Sequence, residues 1–322
     1  MKKILIIHTG GTIAMSEDKQ TGEVKPNLEN PLHQLLTNLE DVEISIEDFL
    51  NLPSPHMTID HMVSLARRID KRVSDHKFDG VVVTHGTDTL EETGYLLDLI
   101  LKHSCPVVIT GAMRSSNELG SDGPHNLLSS IRTAMSEDAG DKGVLVVLND
   151  EIHTAKNATK THTSNIATFQ SPQYGPIGIV TKRGVHFHHS PTVNETFNID
   201  TLSKKVLLIK AVAGMEREIL DALCHIQLDG LVIEALGQGN MPPETVEPIK
   251  RLVKKGIPVV LVSRCFNGIV QDIYGYDGGG KQLKDLGVIF TNGLNGQKAR
   301  IKLMVALEKT TDLSRLKPIF QQ

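Results

Sequence analysis

Short, unbroken runs of valine, isoleucine and leucine recur along the chain and alternate with stretches of helical periodicity. The runs lie at 4–7, 80–84, 105–110, 143–148, 206–210, 231–234, 257–262 and 288–290. Runs without polar alternation are typical of strands that are covered on both faces. Helical patterns occupy 58–74, 90–103, 123–136, 216–225, 242–255 and 296–307. This alternation predicts an α/β architecture with right-handed crossovers and mainly parallel sheets.

The segment 186–205 interrupts the alternation. It contains Pro191, Asn194 and Asn198 and has no sustained apolar period, which indicates a linker. The 322 residues also exceed the usual size of one domain. We therefore predict two α/β domains, each a mainly parallel sheet flanked by helices. The N-terminal domain, at 1–185, is the larger and carries the catalytic loops; the linker occupies 186–205 and the C-terminal domain 206–322.

Charge and composition exclude several classes of partner. The chain has 34 Lys and Arg against 38 Asp and Glu, no basic block, no Trp and 4 Tyr. Nucleic acid is therefore not an expected partner, because its binding needs clustered positive charge or stacking aromatic rings. The apolar run at 4–7 is too short for a signal peptide, and no stretch approaches the ~20 apolar residues of a membrane span. We expect a cytoplasmic protein without a membrane partner.

Polar residues follow four predicted strands of the first domain, at 8–12, 84–89, 111–117 and 149–151. The carboxyl ends of parallel strands meet at one edge of a sheet, and that edge forms the ligand crevice of α/β proteins. Four independent segments should therefore converge on one site.

The glycine pair before Thr12 allows a tight turn and close approach of the backbone. Such a turn could present the Thr12 hydroxyl as a nucleophile. An ordinary strand-to-helix turn or a phosphate loop are the alternatives. Neither the dinucleotide fingerprint G-x-G-x-x-G nor the P-loop pattern is present.

The segment Thr84–Thr89 places a hydroxyl, Thr87, beside a carboxylate, Asp88. Together they could contact an amide and an ammonium group. Either residue could instead cap the helix that starts near Leu90, where the helix dipole favours an ionised carboxylate. Lys160 lies among hydroxyl residues at 157–163; it is either a solvated surface lysine or, near Asp88, a proton relay for Thr87.

Metal-ligand patterns are weak in this sequence. His186, His188 and His189 form a histidine cluster, but no carboxylate lies close to it in sequence. Three cysteines at 105, 224 and 265 are too far apart for a metal or redox motif, which suits a reducing compartment. We predict neither a metal site nor a cofactor.

Two stretches, TGGTIA at 9–14 and GVVVTHGTDTL at 80–90, resemble the bacterial-type L-asparaginase family, which includes asparaginases and glutaminase-asparaginases. Further similarity lies at 111–114, 149–150, 159–161, 167–169, 171–172, 174–176 and 295–300. These segments span nearly the whole chain. The resemblance implies hydrolysis of L-asparagine to L-aspartate and ammonia without a cofactor.

The resemblance also implies roles for individual residues. Thr12 would be the nucleophile and form a β-aspartyl ester, and Thr87, Lys160 and Asp88 would form a second catalytic set. The implied substrate contacts are Ser54 to the α-carboxylate, Asp88 to the α-amino group, the Ala112 carbonyl to the amide nitrogen, and Gly86 and Thr87 beside them. Backbone N–H groups near Thr12 and Thr87 would form an oxyanion hole. Members are usually tetramers built from dimers in which a second copy completes each site, here through Asn240 and the region of Tyr274.

Three departures from the family pattern affect the head-group contacts. The stretch 15–26, which we predict to be a lid over Thr12, has no tyrosine. Pro55 follows the binding serine where members often have glutamine, and Tyr274 lies where some members have a glutamate.

Because of these departures, a glutaminase-asparaginase of mixed specificity stays an alternative. So do an amidotransferase subunit, disfavoured because no extra domain is evident, and a non-catalytic amino-acid-binding protein; a dinucleotide oxidoreductase is disfavoured by the missing fingerprint.

Overall fold

The computed structural model describes residues 1–27, 30–33, 42–102, 105–191 and 195–321. It divides into two compact units, Met1–Asn198 and Ile199–Gln322, and each is described by itself. Asn194 of the predicted linker and the end of the predicted helix 90–103 lie outside the described residues. Within the described ranges, no helix is long and apolar enough to cross a membrane.

The first unit is built on one large mixed sheet. Its strands in chain order are β1 (Lys2–Gly10), β2 (Met15–Glu17), β3 (Val24–Pro26), β4 (Val42–Leu52), β5 (Gly80–Thr84), β6 (Val107–Thr110), β7 (Val144–Leu148), β8 (Glu151–Thr154), β9 (Thr159–Lys160), β10 (Phe169–Gln170), β11 (Gly178–Thr181) and β12 (Gly184–Phe187). Eight of them form the sheet in the order β12-β11-β8-β7-β6-β5-β1-β4. Pairing is parallel from β4 to β7 and antiparallel from β7 to β12.

Helices cover both faces of the parallel part of this sheet. They are α1 (Ile59–His76), α2 (Leu90–Ile100) and α3 (Gly123–Met135), joined by short 3₁₀ turns at Thr12–Ala14, Ser54–His56 and Glu137–Ala139. Alternate strand residues, including Ile4, Val82 and Val108, pack with Leu127 and Ile131 of α3 in one core. On the other face, Gly94 of α2 lies against the side chains of Ile109 and Val146. Coverage on both faces explains the unbroken apolar runs.

The second unit is a smaller, fully parallel sheet. Its strands are β13 (Val206–Lys210), β14 (Gly230–Ala235), β15 (Val259–Ser263) and β16 (Ile289–Phe290), paired in that order. Its helices are α4 (Glu218–Leu223), α5 (Val246–Lys254), α6 (Gly280–Asp285), α7 (Gly296–Lys309) and α8 (Leu313–Gln321), with a 3₁₀ turn at Pro243–Thr245.

The predicted α/β class with two mainly parallel sheets is confirmed, and the larger one is N-terminal. The pattern of apolar runs did not predict β4, whose alternating charged residues mark an exposed edge strand, or the antiparallel strands β8, β11 and β12. β12 also extends to Phe187, two residues beyond 185. The structural division at Asn198 falls inside the segment 186–205, so the domain boundaries stay a prediction.

Two loops at the carboxyl edge of the first sheet touch through their backbones. Gly10 and Gly11, which follow β1, have φ of 104° and 84°. A Cβ atom on Gly11 would lie 2.3 Å from the Gly86 Cα, and a Cβ atom on Gly86 would lie 2.6 Å from the Ser54 Cβ. No side chain fits at either position, so the glycines allow the loops after β1 and β5 and the Ser54 turn to pack directly together.

Replacement of Gly11 by alanine should disrupt this contact. The new methyl group would meet the Gly86 backbone, and the residue would adopt an unfavourable φ, so we expect a loss of about 3 kcal/mol or more in the free energy of unfolding. The matched control is Gly22→Ala, because Gly22 has φ of 70° but a Cβ atom there would meet nothing within 4 Å among the described residues. The control should lose about 1 kcal/mol. Urea denaturation compares them, and equal losses would contradict the packing argument.

Candidate active site

Lys160 lies at the centre of a polar cluster formed by the loops after the strands. Its Nζ donates hydrogen bonds to Thr87 Oγ1, at 2.9 Å, and to Asp88 Oδ1, at 2.7 Å. Thr87 is buried and the Lys160 side chain is 16% exposed, whereas the Asp88 side chain is 58% exposed. The structure therefore brings together three predicted catalytic residues, with an accessible carboxylate at the mouth of the cluster.

Ser54 connects the cluster to a buried turn. The Asp88 backbone N–H donates to Ser54 Oγ at 3.2 Å, and the Thr89 hydroxyl donates to the Ser54 carbonyl at 2.9 Å. Thr89 is the N-cap residue of α2, and no side-chain capping bond is formed there. The alternative role of Thr87 or Asp88 as a helix cap is therefore not observed, and both side chains face the cluster instead.

Thr12 opens a 3₁₀ turn directly after the glycine pair and is half-buried. Because Thr12 follows Gly11 and Thr87 follows Gly86, the glycine contact brings both threonines to the same part of the edge. The predicted lid at 15–26 forms a hairpin of β2 and β3, which Ser116 and Asn117 hold through hydrogen bonds to 15–17. Its function as a lid stays a prediction.

Ala112 lies on the neighbouring loop after β6. A Cβ atom on Gly111 would lie 3.1 Å from the Thr87 methyl group, so the two loops are in close contact. Asp122 accepts hydrogen bonds from the backbone N–H groups of Met113 and Arg114, at 3.0 and 2.9 Å. Asn126 donates to the Gly111 carbonyl at 3.0 Å. Asp122 and Asn126 were not among the predicted site residues, although an aspartate before Gly-Pro is a recognisable helix start.

Glu91 is a buried carboxylate that positions Lys160. Its Oε1 accepts hydrogen bonds from Thr159 Oγ1, at 3.1 Å, and from the Lys160 backbone N–H, at 3.3 Å. These contacts hold the short strand β9 above the first turn of α2. An acidic residue in a first helical turn is common, so the sequence had no signal that would single out Glu91.

His85 fixes the peptide bond that precedes Thr87. Its Nδ1–H donates to the Gly86 carbonyl at 2.8 Å, so Nε2 accepts the Thr93 hydroxyl at 2.9 Å. Burial lowers the pKa of His85 to about 4, so the ring is neutral near pH 7. The Gly86 carbonyl and the Thr87 N–H belong to one planar peptide unit, and His85 therefore orients the Thr87 N–H.

Two predicted substrate contacts belong to the second unit. Asn240 Oδ1 accepts a hydrogen bond from the Gly280 N–H at 3.1 Å. Tyr274 is 42% exposed, and its ring lies 5.5 Å from that of Tyr276. The contribution of both residues to a site in a second copy stays a prediction.

The fold and the cluster define the class of this protein: a two-domain α/β protein with hydroxyl, ammonium and carboxylate groups at the carboxyl edge of a sheet, a set of groups that suits amide hydrolysis. Family models described as "Asparaginase, N-terminal" and "Glutaminase/Asparaginase C-terminal domain" match residues 3–193 and 205–320. The chain therefore belongs to the asparaginase family.

Individual relatives agree with this assignment over the full length. The chain is 39% identical to "Probable L-asparaginase" of Deinococcus radiodurans, covering 100% of this chain and 98% of the relative. It is 34% identical to "L-asparaginase 2" of Escherichia coli strain K12, covering 100% and 93%. The crystal structure of "Probable Cytoplasmic L-asparaginase" from Campylobacter jejuni superposes with a TM-score of 0.87 at 33% identity, covering 99% of each chain.

A pair of His85 variants can separate its two hydrogen bonds. Asparagine at this position has an amide donor near the place of Nδ1, whereas glutamine extends toward the place of Nε2. We expect His85→Asn to keep most of kcat and His85→Gln to lose at least about tenfold, because a misoriented Thr87 N–H would be a poorer hydrogen-bond donor to an oxyanion if it has the role that the resemblance implies. Steady-state amide hydrolysis measures both. Equal losses in two folded variants would show that the Gly86 hydrogen bond does not matter.

Proposed function

We propose that this protein is an L-asparagine amidohydrolase that forms L-aspartate and ammonia through an ester on Thr12. The observation that carries the proposal is the Lys160 ammonium bridging Thr87 and Asp88, in a chain of the asparaginase family. The likeness to proteins named L-asparaginase over the full chain supports asparagine as the substrate.

The proposed reaction has two displacements. In the first, Thr12 Oγ1 gives up its proton and bonds to the side-chain amide carbon, the C–N bond breaks, and the leaving nitrogen takes up one proton in exchange and departs as ammonia. In the second, water attacks the β-aspartyl ester and releases Thr12 and aspartate. Lys160 donates to Thr87 Oγ1, which leaves the hydroxyl proton of Thr87 available for transfer at the reacting centre.

The same geometry supports a binding mode for the substrate head group. The exposed carboxylate of Asp88 would pair with the α-ammonium group, and Ser54 Oγ and the Gly86 backbone lie next to it for the α-carboxylate. The Ala112 carbonyl would accept a hydrogen bond from the amide nitrogen. The N–H groups of Thr12 and Thr87 would stabilise the oxyanion, at roughly 3 kcal/mol for each donor.

Removal of the reacting groups tests the chemistry. We expect Thr12→Ala, Thr87→Val and Lys160→Met each to lower kcat by at least about a hundredfold without unfolding the protein, because each removes a group needed for nucleophilic attack or proton transfer. Thr163→Val and Lys182→Met are matched controls at exposed positions. Ammonia release gives kcat, and denaturation curves verify folding. Near-normal turnover by Thr12→Ala, or an ester trapped on Thr87, would remove Thr12 from its role.

Substrate preference has a second candidate. The family model that matches the C-terminal part of the chain names glutaminase as well as asparaginase in its description. Ammonia release from asparagine and from glutamine, each over a full concentration series, gives the ratio of kcat/KM values. A high ratio for asparagine supports the proposal, comparable values favour mixed specificity, and binding without ammonia release would indicate a non-catalytic amino-acid-binding protein.

We also propose that the protein acts in the cytoplasm as a dimer or tetramer, with Asn240 and Tyr274 of a second copy completing each site. The similarity to a Campylobacter jejuni protein named as a probable cytoplasmic L-asparaginase supports the location.

In a dimer, co-refolding equal amounts of Thr12→Ala and the double variant Asn240→Ala/Tyr274→Ala should restore roughly a quarter of the wild-type activity. Half of the dimers then combine the two variants, and each of these contains one intact site out of two. Light scattering gives the oligomer size. No recovery in mixed oligomers of two inactive variants would contradict shared sites.

A further inference from the structure

A second group of polar side chains lies at the same edge of this sheet, where β1 pairs with the edge strand β4. His8 is directly opposite Asp48 in the parallel register. His33 Nε2 lies 3.5 Å from Asp48 Oδ2. One nitrogen or oxygen atom from each of these three side chains lies within 4.8 Å of the other two. The group lines a cavity of about 670 Å³.

His8 is arranged as metal-binding histidines usually are. It is 1% exposed, and its Nδ1 lies 2.7 Å from the Thr84 hydroxyl oxygen. Its Nε2 is buried and has no hydrogen-bond partner among the described residues. A histidine that binds a metal through one ring nitrogen typically donates its other N–H to an oxygen, which fixes the tautomer. With Nδ1–H directed to Thr84, the Nε2 lone pair is available to a ligand in the cavity.

We propose that His8, His33 and Asp48 form a binding site for a divalent transition metal, with zinc as the best-suited ion. Two imidazoles and one carboxylate form a mixed nitrogen and oxygen set that suits zinc, whereas calcium and magnesium prefer oxygen ligands. Three protein ligands leave the fourth tetrahedral position open toward the cavity, where water or a small anion completes the coordination.

The spacing of the ligand atoms requires a small closure on binding. Tetrahedral zinc with bonds of about 2.0–2.1 Å places its ligand atoms roughly 3.3 Å apart. His8 is fixed by burial and by Thr84, whereas the side chains of His33 and Asp48 are 42% and 59% exposed. The two exposed side chains therefore supply the movement.

An ion pair between His33 and Asp48 is the alternative account of this group. That pair explains the short distance between two exposed side chains, but within the described part of the chain it leaves the buried Nε2 of His8 without a partner. A bound metal satisfies all three groups at once. In the metal account, His8, His33 and Asp48 together bind one added metal ion. In the ion-pair account, they do not.

The site adjoins the Lys160 cluster but shares no residue with it. Thr84 ends β5 and immediately precedes the loop that carries Thr87, and its carbonyl accepts the Thr9 hydroxyl at 2.8 Å. His8 thus contacts the base of that loop through the side chain of Thr84. We propose that the metal is bound at this edge of the sheet, and we assign no step of amide hydrolysis to it.

Metal titration of the full chain tests the proposal without any activity measurement. After removal of metal with a chelator and dialysis, calorimetric titration with zinc chloride should show one ion per chain with a micromolar or lower Kd. Cobalt(II) should give the visible absorption of a tetrahedral site. Calcium and magnesium should show no comparable binding.

Variants assign the ligands. His33→Gln and Asp48→Asn, both at exposed positions where folding is not at risk, should each weaken zinc binding at least tenfold, and so should His8→Gln. His188→Gln is the matched control from the surface histidine cluster and should not change the Kd. Absence of stoichiometric zinc binding by the wild-type chain would overturn the proposal. So would zinc binding that is unchanged in His33→Gln and in Asp48→Asn, whatever the effect of His188→Gln.

Discussion

The contact between Gly11 and Gly86 is the constraint on which the candidate site depends. Parallel strands separate their following loops by at least a strand spacing, so side chains on those loops normally keep the backbones apart. With no Cβ at either position, the loops after β1 and β5 meet through their main chains. Thr12 and Thr87 are each the next residue along the chain, and their proximity therefore follows from backbone packing and does not require any bond between them.

Buried polar residues that need not contact the substrate keep this arrangement rigid. His85 orients the peptide before Thr87, Asp122 holds the loop of Ala112, and Glu91 holds the backbone of Lys160. Each is at least nine-tenths buried, where an unsatisfied polar group is costly, so each bond is strongly favoured over its absence. Preorganised groups of this kind need little reorganisation when charge develops in a transition state. The cluster thus has a rigid interior, while its carboxylate, Asp88, faces solvent.

The sequence was sufficient to predict the strands that are buried on both faces of a sheet. The runs around Ile4, Val82 and Val146 are covered on both faces, so composition alone marks them as strands. β4 has one exposed side and carries charges, so its pattern resembled a loop. Thr87, Asp88 and Lys160 were predicted through family resemblance, because hydroxyls and charges beside strands have ordinary alternatives. Positioning residues and the histidine–aspartate group near β4 were missed, since their partners are distant in sequence and only the fold brings them together.

The shared carboxylate suggests how substrate binding and proton transfer are coupled in the proposed mechanism. In the free protein, Asp88 holds the Lys160 ammonium at 2.7 Å. A bound α-ammonium group would place a second cation on the same carboxylate, so Asp88 would divide its attraction between that cation and Lys160 and hold the lysine less firmly beside Thr87. The substrate would also exclude water from the exposed side of Asp88, which strengthens every charge interaction in the cluster. Substrates that lack the α-ammonium group would then lose turnover as well as affinity, because they would leave Asp88 paired with Lys160 alone.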